Sequence, residues 1–287
     1  MVQPYDPTTF HDFEHAGWQS AAAAYPETFG PVTVQAIGPL LDAAEVAAGR
    51  HVLDVACGPG FVSGRAAARH ATVVGLDFSA AMIREARARC QGVEFIEGDA
   101  HALPFPDATF DAVVMNFGVL HLARPDAAFA EAWRVLRPGG RYAFTVWAES
   151  GARAGFGIVH HAIESHGTTA GALPPGPGFF RFSDPDECRR SLAGAGFDQP
   201  STVELQLLWT VASADAMLDA ITRGGVRTSA LLRAQSPAAL EAIRRAVADA
   251  IQPFTGGPAA AVPMPVVLAS ASKGPAPRAR YTAPPTR

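Results

Sequence analysis

From residue 51 onward, apolar positions come in short runs that alternate with stretches of helical period. Runs at residues 52–56, 72–76, 93–97, 112–116 and 141–147 read as strands. Between them, residues 62–69, 79–90 and 125–135 space their apolar side chains three and four apart, as on one helix face. Ser79 suits the cap of the second of these helices. Pro138-Gly139-Gly140 reads as the turn into the fifth strand. Strands alternating with helices predict an α/β fold, a mainly parallel sheet covered on both faces. Upstream, residues 8–24 set Phe10, Phe13 and Trp18 on one helical face, Pro26 breaks the pattern, and residues 31–47 predict a second helix. After residue 147 the pattern loosens. It predicts helices at 155–167, 185–195 and within 213–251, strands at 203–209 and 265–270, and a Gly/Pro-rich loop at 171–178.

The candidate chemistry sits where the first strand ends. Val52 to Ala56 run into Cys57-Gly58-Pro59-Gly60, and the next apolar run closes on an acid, Asp77. Strand, glycine turn, helix, strand and acid is how an α/β sheet builds a nucleoside pocket at its carboxyl edge. Glycine lets a ligand reach the backbone where a Cβ would block it. A carboxylate can accept from both ribose hydroxyls; the competing role for Asp77 is a cap for the helix that follows. The dinucleotide pattern G-x-G-x-x-G fails, because its third glycine falls on Ser63. Pro59 also removes an N–H that a pyrophosphate would use. Asp54, before the turn, would repel a pyrophosphate and tolerate a cation. S-adenosylmethionine carries a sulfonium and an ammonium and has no phosphate.

Leu53-Asp54-Val55-Ala56-Cys57-Gly58-Pro59-Gly60 resembles the first motif of class I S-adenosylmethionine-dependent methyltransferases. The resemblance continues through Gly75-Leu76-Asp77-Phe78-Ser79, Ala81-Met82, Glu97-Gly98-Asp99-Ala100, Leu103-Pro104-Phe105-Pro106-Asp107, Phe110-Asp111-Ala112-Val113 and Leu136-Arg137-Pro138-Gly139-Gly140. These pieces follow the family's order and spacing over residues 50–147 and look most like its small-molecule branch, which includes the ubiquinone- and menaquinone-type enzymes. The resemblance implies a Rossmann-like sheet of seven strands whose last, near residues 266–269, is antiparallel. It implies S-adenosyl-L-methionine as cofactor and in-line methyl transfer to a small, hydrophobic or aromatic acceptor. Ala56, Gly58 and Gly60 would then face the methionine part and Asp77 the ribose. Asp99 and the Ala100 N–H would meet the adenine, with Phe78 and Met82 packed on the base. Asp54 would orient the glycine turn through its N–H groups or bind the ammonium. Asn116 would stand at the methionine end, either as a contact or as a partner for loop backbone. Tyr25 resembles a tyrosine the family places over the methionine carboxylate.

The resemblance also divides the chain. Residues 1–48 are expected as an N-terminal helical cap or lid, rich in aromatics, against the simpler reading of a packed helix. Residues 49–273 are expected as the core, with lid insertions at about 151–183 and 212–258, and 274–287 as a flexible tail. His121, His160 and His166 are candidate general bases, set against the ordinary role of histidine in packing or at the surface. His160 and Glu164 stand at i, i+4 and can pair on one helical face. No metal is expected, since His160-His161-Ala162-Ile163-Glu164 is not H-E-x-x-H.

Bulk properties narrow the partners. The net charge of −4 gives no field that favours nucleic acid or an anionic membrane. Three widely spaced cysteines suggest a reducing cytoplasm rather than a disulfide framework. No apolar run approaches a membrane span and no secretory leader is visible. The rival readings are a nicotinamide-dependent oxidoreductase, a methyltransferase acting on a macromolecule, and a non-catalytic binding module.

Overall fold

The computed structural model describes residues 5–275, so the tail expected at 274–287 lies, from residue 276 on, outside the described residues. Seven strands form one sheet: β1 His51–Val55, β2 Thr72–Asp77, β3 Glu94–Glu97, β4 Phe110–Asn116, β5 Leu136–Trp147, β6 Asp198–Val211 and β7 Ala260–Ser272. Their order is β3-β2-β1-β4-β5-β7-β6. The first five strands pair in parallel, and β7 runs antiparallel to both its neighbours. The expected mainly parallel sheet with an antiparallel last strand is therefore present. The chain builds outward from β1 to β3, then crosses back to lay β4 on the other side of β1. That reversal opens a crevice at the carboxyl ends of β1 and β4.

Alternate residues of the central strands feed two apolar layers. Leu53, Val74 and Val113 join the larger core, which includes Phe129 of the helix Pro125–Val135. Val52, Val73 and Val114 face the other side, against Leu40, Leu41, Val62 and Ala66. Both faces are buried, which is why these strands read as continuous apolar runs and not as alternating ones.

Several elements depart from expectation for local reasons. The helix expected over 31–47 is broken into Gly30–Thr33, the 3₁₀ turn Val34–Ala36 and Ile37–Ala43, after a separate turn Tyr25–Thr28. Pro26 and Pro31 each sit in the first turn of a short segment, where the missing N–H is tolerated. Strand β5 begins at Leu136, paired with Phe110, so Pro138-Gly139-Gly140 is an irregularity within the strand and not a turn before it. Gly139 has φ +82°, and its N–H donates to the Lys273 carbonyl at 2.8 Å. The Lys273 ammonium donates to the carbonyls of Trp133 and Leu136 at 2.9 and 2.8 Å, at the end of the Pro125–Val135 helix.

Strands β6 and β7 are far longer than the expected 203–209 and 265–270. They stay paired from Asp198↔Ser272 to Val211↔Ala260, whereas β5 leaves β7 at Val266. The projecting ribbon holds Pro263 and Pro265, which donate no N–H to a ladder. The stretch 213–251 splits into Ala214–Gly224, Arg227–Arg233 and Pro237–Ile251. Ser213 and Ser236 cap the first and last of these, accepting from the N–H groups of Ala216 and Ala239. No helix among the described residues is long and apolar enough to cross a membrane.

Gly75 lies in β2, and a Cβ there would stand 2.6 Å from the Phe95 ring and 3.0 Å from Ser63 Oγ. Gly75→Ala is expected to destabilise the fold by about 1–3 kcal/mol through overpacking. A thermal melt would show this as a lower Tm; an unchanged Tm would mean that the contact between β2 and Phe95 is looser than described.

Candidate active site

Strand β1 exits through a turn with three left-handed residues: Ala56 at φ +53°, Gly58 at φ +52° and Gly60 at φ +83°. At Gly58 a Cβ would meet nothing within 4 Å, so the backbone there faces open space. At Gly60 a Cβ would stand 3.2 Å from Ala86 and from Phe95. Gly60 thus starts the helix Phe61–Ala67 by close packing against Ala86 and Phe95 and does not line the crevice cavity, which differs from its expected ligand-facing position. Phe117, just past β4, is also left-handed at φ +55°. Non-glycine residues rarely hold this conformation without support, and both Ala56 and Phe117 border the crevice.

Asp77 ties the turn to the neighbouring loop. Its Oδ2 accepts from the Gly58 N–H at 2.8 Å and its Oδ1 from the Ser79 N–H at 2.9 Å. Burial pushes the Asp77 carboxyl up to about 6 despite these two bonds. Ser79, and not Asp77, caps the next helix, accepting from the Met82 N–H at 3.2 Å. Asp54 lies beneath the turn. Its Oδ2 accepts from Ser63 Oγ at 2.5 Å, and its Oδ1 has no partner among the described residues. Burial, opposed by the Ser63 bonds and reinforced by the nearby Asp77 charge, lifts the Asp54 carboxyl to about 7. Asp54 makes no bond to the N–H groups of the glycine turn and does not line the crevice cavity; of its two expected roles, the bond to Ser63 stands in place of the one that would orient the turn.

The larger of two adjoining cavities occupies the crevice and brings together Ala56, Gly58, Asp77, Phe78, Met82, Asp99, Ala100, Asn116 and Tyr25. Asp99 forms its far end. Burial would raise this carboxyl, but bonds from the His101 N–H at 2.9 Å and Nδ1 at 2.6 Å outweigh it and hold Asp99 at about 2. His101 Nε2 accepts from the Arg124 N–H at 3.1 Å. Phe78 is edge-on to His11 and His15, with ring centroids 5.5 and 5.4 Å away. At the other end, Asn116 donates to the Thr33 carbonyl at 3.2 Å and accepts from Thr145 Oγ1 at 2.6 Å. Asn116 thus locks backbone and lines the cavity at once. Tyr25 donates to Thr33 Oγ1 at 3.4 Å, and burial pushes its phenol up to about 12.

A second, smaller cavity adjoins the first; Trp18, Tyr25, Phe117 and His121 line both. Its other walls are largely apolar, with Trp147 from the end of β5, Phe29 from the N-terminal segment, and Phe156, Phe179 and Val226 from the later segments. His121 is the one candidate base that reaches this boundary. Its Nδ1 meets Glu14 Oε2 at 2.9 Å, and Trp18 packs edge-on at 4.7 Å. His160 is half-buried behind the second cavity. Its Nε2 bonds Thr228 Oγ1 at 3.0 Å in place of the expected pairing with Glu164. Burial and the Arg227 charge hold His160 down at about 4. His166 is exposed at the end of the helix Gly155–His166 and lines neither cavity.

Several residues escape a reading of the sequence. Glu14 is fully buried, one turn from Phe10 and Trp18 on the apolar face of Pro7–Ala21. A lone acid on an apolar stripe was the available signal. Gln19 accepts from Ser79 Oγ at 2.9 Å and from the Ala81 N–H at 2.8 Å, fastening this helix to the adenosine-side loop. Arg227 carried no local signal. It is buried where it donates to the carbonyls of Leu120 and Pro177 at 3.2 and 2.8 Å. Among the described residues His11, Asp99 and His101 are close enough to be weighed as metal ligands. Both ring nitrogens of His101 are already engaged, so the trio offers no three free donors.

Residues 53–144 match the family described as methyltransferase domain. A demethylmenaquinone methyltransferase of Renibacterium salmoninarum is 44% identical over 102 residues, covering 36% of this chain and 43% of that one. A ubiquinone/menaquinone biosynthesis C-methyltransferase of Roseobacter denitrificans is 45% identical over 104 residues, 33% of this chain and 41% of that one. The matched stretch therefore spans less than half the length of either relative. Among solved structures, a Haemonchus contortus phosphoethanolamine N-methyltransferase holding S-adenosylhomocysteine aligns with a TM-score of 0.58 at 18% identity, over 92% of this chain and 60% of that one. The [4+2]-cyclase SpnF aligns with a TM-score of 0.58 at 19% identity, over 96% and 99%. Residues 53–144 thus match a methyltransferase domain by sequence, and the chain shares its fold with solved methyltransferases.

Proposed function

We propose that the chain binds S-adenosyl-L-methionine in the larger cavity and transfers its methyl group to a small apolar or aromatic acceptor in the smaller one. The observation that carries this reading is the adjacency of the two cavities: a polar-edged crevice meets an aromatic chamber across Trp18, Tyr25, Phe117 and His121. The residues fit the cofactor. Gly58 leaves free the volume a Cβ would fill. Asp77 uses one lone pair of each oxygen on backbone N–H groups, which leaves acceptor capacity for two ribose hydroxyls. Asp99, with the Ala100 N–H, suits the adenine end, and Tyr25 and Asn116 suit the methionine end.

Bound there, the cofactor supplies a methyl group on a positively charged sulfur, already an excellent leaving group. The protein's task is to orient the acceptor and keep water out; orientation alone can contribute about 7–11 kcal/mol. Trp18 and Tyr25 present faces that attract a cation. The buried carboxyls of Asp54 and Asp77 supply negative potential beneath the turn. The N-terminal helix and the segments at 151–183 and 212–258 act as the lid, since Trp18, Phe156, Phe179 and Val226 wall the acceptor chamber. The relatives named for menaquinone and ubiquinone synthesis favour a ring acceptor, which suits these aromatic walls. Three free cysteines accord with a cytoplasmic enzyme.

Calorimetry with S-adenosylhomocysteine tests the cofactor assignment. The wild type is expected to bind it, and Asp77→Asn to lose about 1.5–3 kcal/mol, roughly 10- to 150-fold in Kd. Unchanged affinity in the variant, or binding of NAD(P) alone, would remove the assignment.

Asp54 generates a stability prediction. Its folded carboxyl is raised from 3.8 to about 7, so stability present below pH 3.8 is lost as pH rises through about 7. Denaturant titrations should show the wild type weakening over that interval and Asp54→Asn weakening less. Parallel profiles for the two proteins would show that Asp54 does not titrate there.

A further inference from the structure

Glu14 and Arg227 are buried behind His121, which stands where the two cavities join, and the three come from separate parts of the chain. Glu14 sits in the N-terminal helix, His121 in the 3₁₀ turn after β4, and Arg227 at the start of Arg227–Arg233. Glu14 is 0% exposed, so its charge needs partners. Oε2 takes His121 Nδ1 at 2.9 Å, and Oε1 faces Arg227 Nε at 3.8 Å. Arg227 is itself pinned by two carbonyls and lies over the rings of Phe10 and Phe179, 5.3 and 5.4 Å from their centroids. A carboxylate can only accept, so the Nδ1 bond puts the proton of a neutral His121 on Nδ1 and leaves Nε2 with its lone pair. Nε2 has no hydrogen-bond partner among the described residues, and His121 lines both cavities.

The alternatives at this boundary are weaker. The Tyr25 phenol is pushed up to about 12 and stays protonated. His160 spends Nε2 on Thr228, and that bond also occupies a hydroxyl of the acceptor chamber.

We propose that Glu14 is the positioning residue for His121, and that His121 Nε2 is the catalytic base that takes the proton of a hydroxyl-bearing aromatic acceptor. This rests on the methyltransferase reading above and narrows its acceptor to phenol-type molecules. The acceptor oxygen bonds to the methyl carbon as the carbon–sulfur bond breaks. The sulfur keeps that electron pair and becomes a neutral thioether, and the hydroxyl proton passes to Nε2. The imidazolium so formed lies against the Glu14 carboxylate, which stabilises it. Since Glu14 comes from the N-terminal helix, the base is assembled only when that helix is docked.

The test is nitrogen NMR on the full chain carrying ¹⁵N-histidine, with S-adenosylhomocysteine bound, His121→Gln serving to assign the signal. The expected spectrum shows His121 protonated at Nδ1 and bare at Nε2. Glu14→Gln should abolish that preference, because an amide can also donate to Nδ1. Adding 2-naphthol should move the Nε2 resonance upfield, and naphthalene, which lacks the hydroxyl, should not. A proton on Nε2 in the wild type, an Nε2 unmoved by 2-naphthol, or an unchanged tautomer in a folded Glu14→Gln would overturn the proposal. If Glu14→Gln does not fold, the wild-type spectrum and the paired probes still decide. Failure of S-adenosylhomocysteine to bind at all would instead sink the earlier reading.

Discussion

A single buried carboxylate organises the crevice. Asp77 spans the exits of β1 and β2, with one oxygen on the Gly58 N–H and the other on the Ser79 N–H. The first bond holds the glycine turn in its left-handed path and the second fixes the loop that leads to the next helix. With Asp54 beneath the turn, two acids that burial has pushed upward stand close together, and the Asp77 charge raises Asp54 further. A positive charge placed nearby would favour the ionised form of both carboxyls. This polarity separates the crevice from a pyrophosphate site, which offers N–H groups and positive potential at the same turn.

The outer segments converge on that crevice. The N-terminal helix reaches it through Gln19 on the Ser79 loop and through Glu14 on His121. The long β6–β7 ribbon carries three helices past the sheet, and the second of these begins with Arg227, beside Glu14. A boundary of four residues shared by two cavities thus depends on elements that are remote along the chain. The family match over residues 53–144 takes in most of the crevice side of this arrangement and none of the chamber's later walls. The same fold is found in a cyclase, so the fold alone does not define a reaction; the side chains of the chamber do.

The sheet was legible in the sequence wherever burial on both faces produced unbroken apolar runs. That covers β1 to β4 to within a residue or two, and the helix Pro125–Val135 throughout. It failed where tertiary pairing overrode local signals. Pro138-Gly139-Gly140 looks like a turn, but its N–H and C=O groups find partners at Lys273, far along the chain. Strands β6 and β7 run well past the expected 203–209 and 265–270, because their mutual pairing extends beyond β5 into a ribbon that tolerates Pro263 and Pro265. In the site, Gly58, Asp77 and Asp99 follow from local motif chemistry. The same motif points Gly60 and Asp54 toward the ligand, whereas Gly60 packs against Ala86 and Phe95 and Asp54 bonds Ser63. Glu14 and Arg227 depend on a junction of distant segments, and no local pattern shows it.

The most direct test of the central claim is a crystal structure with S-adenosylhomocysteine. Its ribose hydroxyls are expected within hydrogen-bond distance of the Asp77 carboxylate, its adenine by Asp99 and Ala100, and its sulfur toward the His121 and Trp18 boundary. Density elsewhere, or a crevice left to solvent beside an ordered Asp77, would contradict the account.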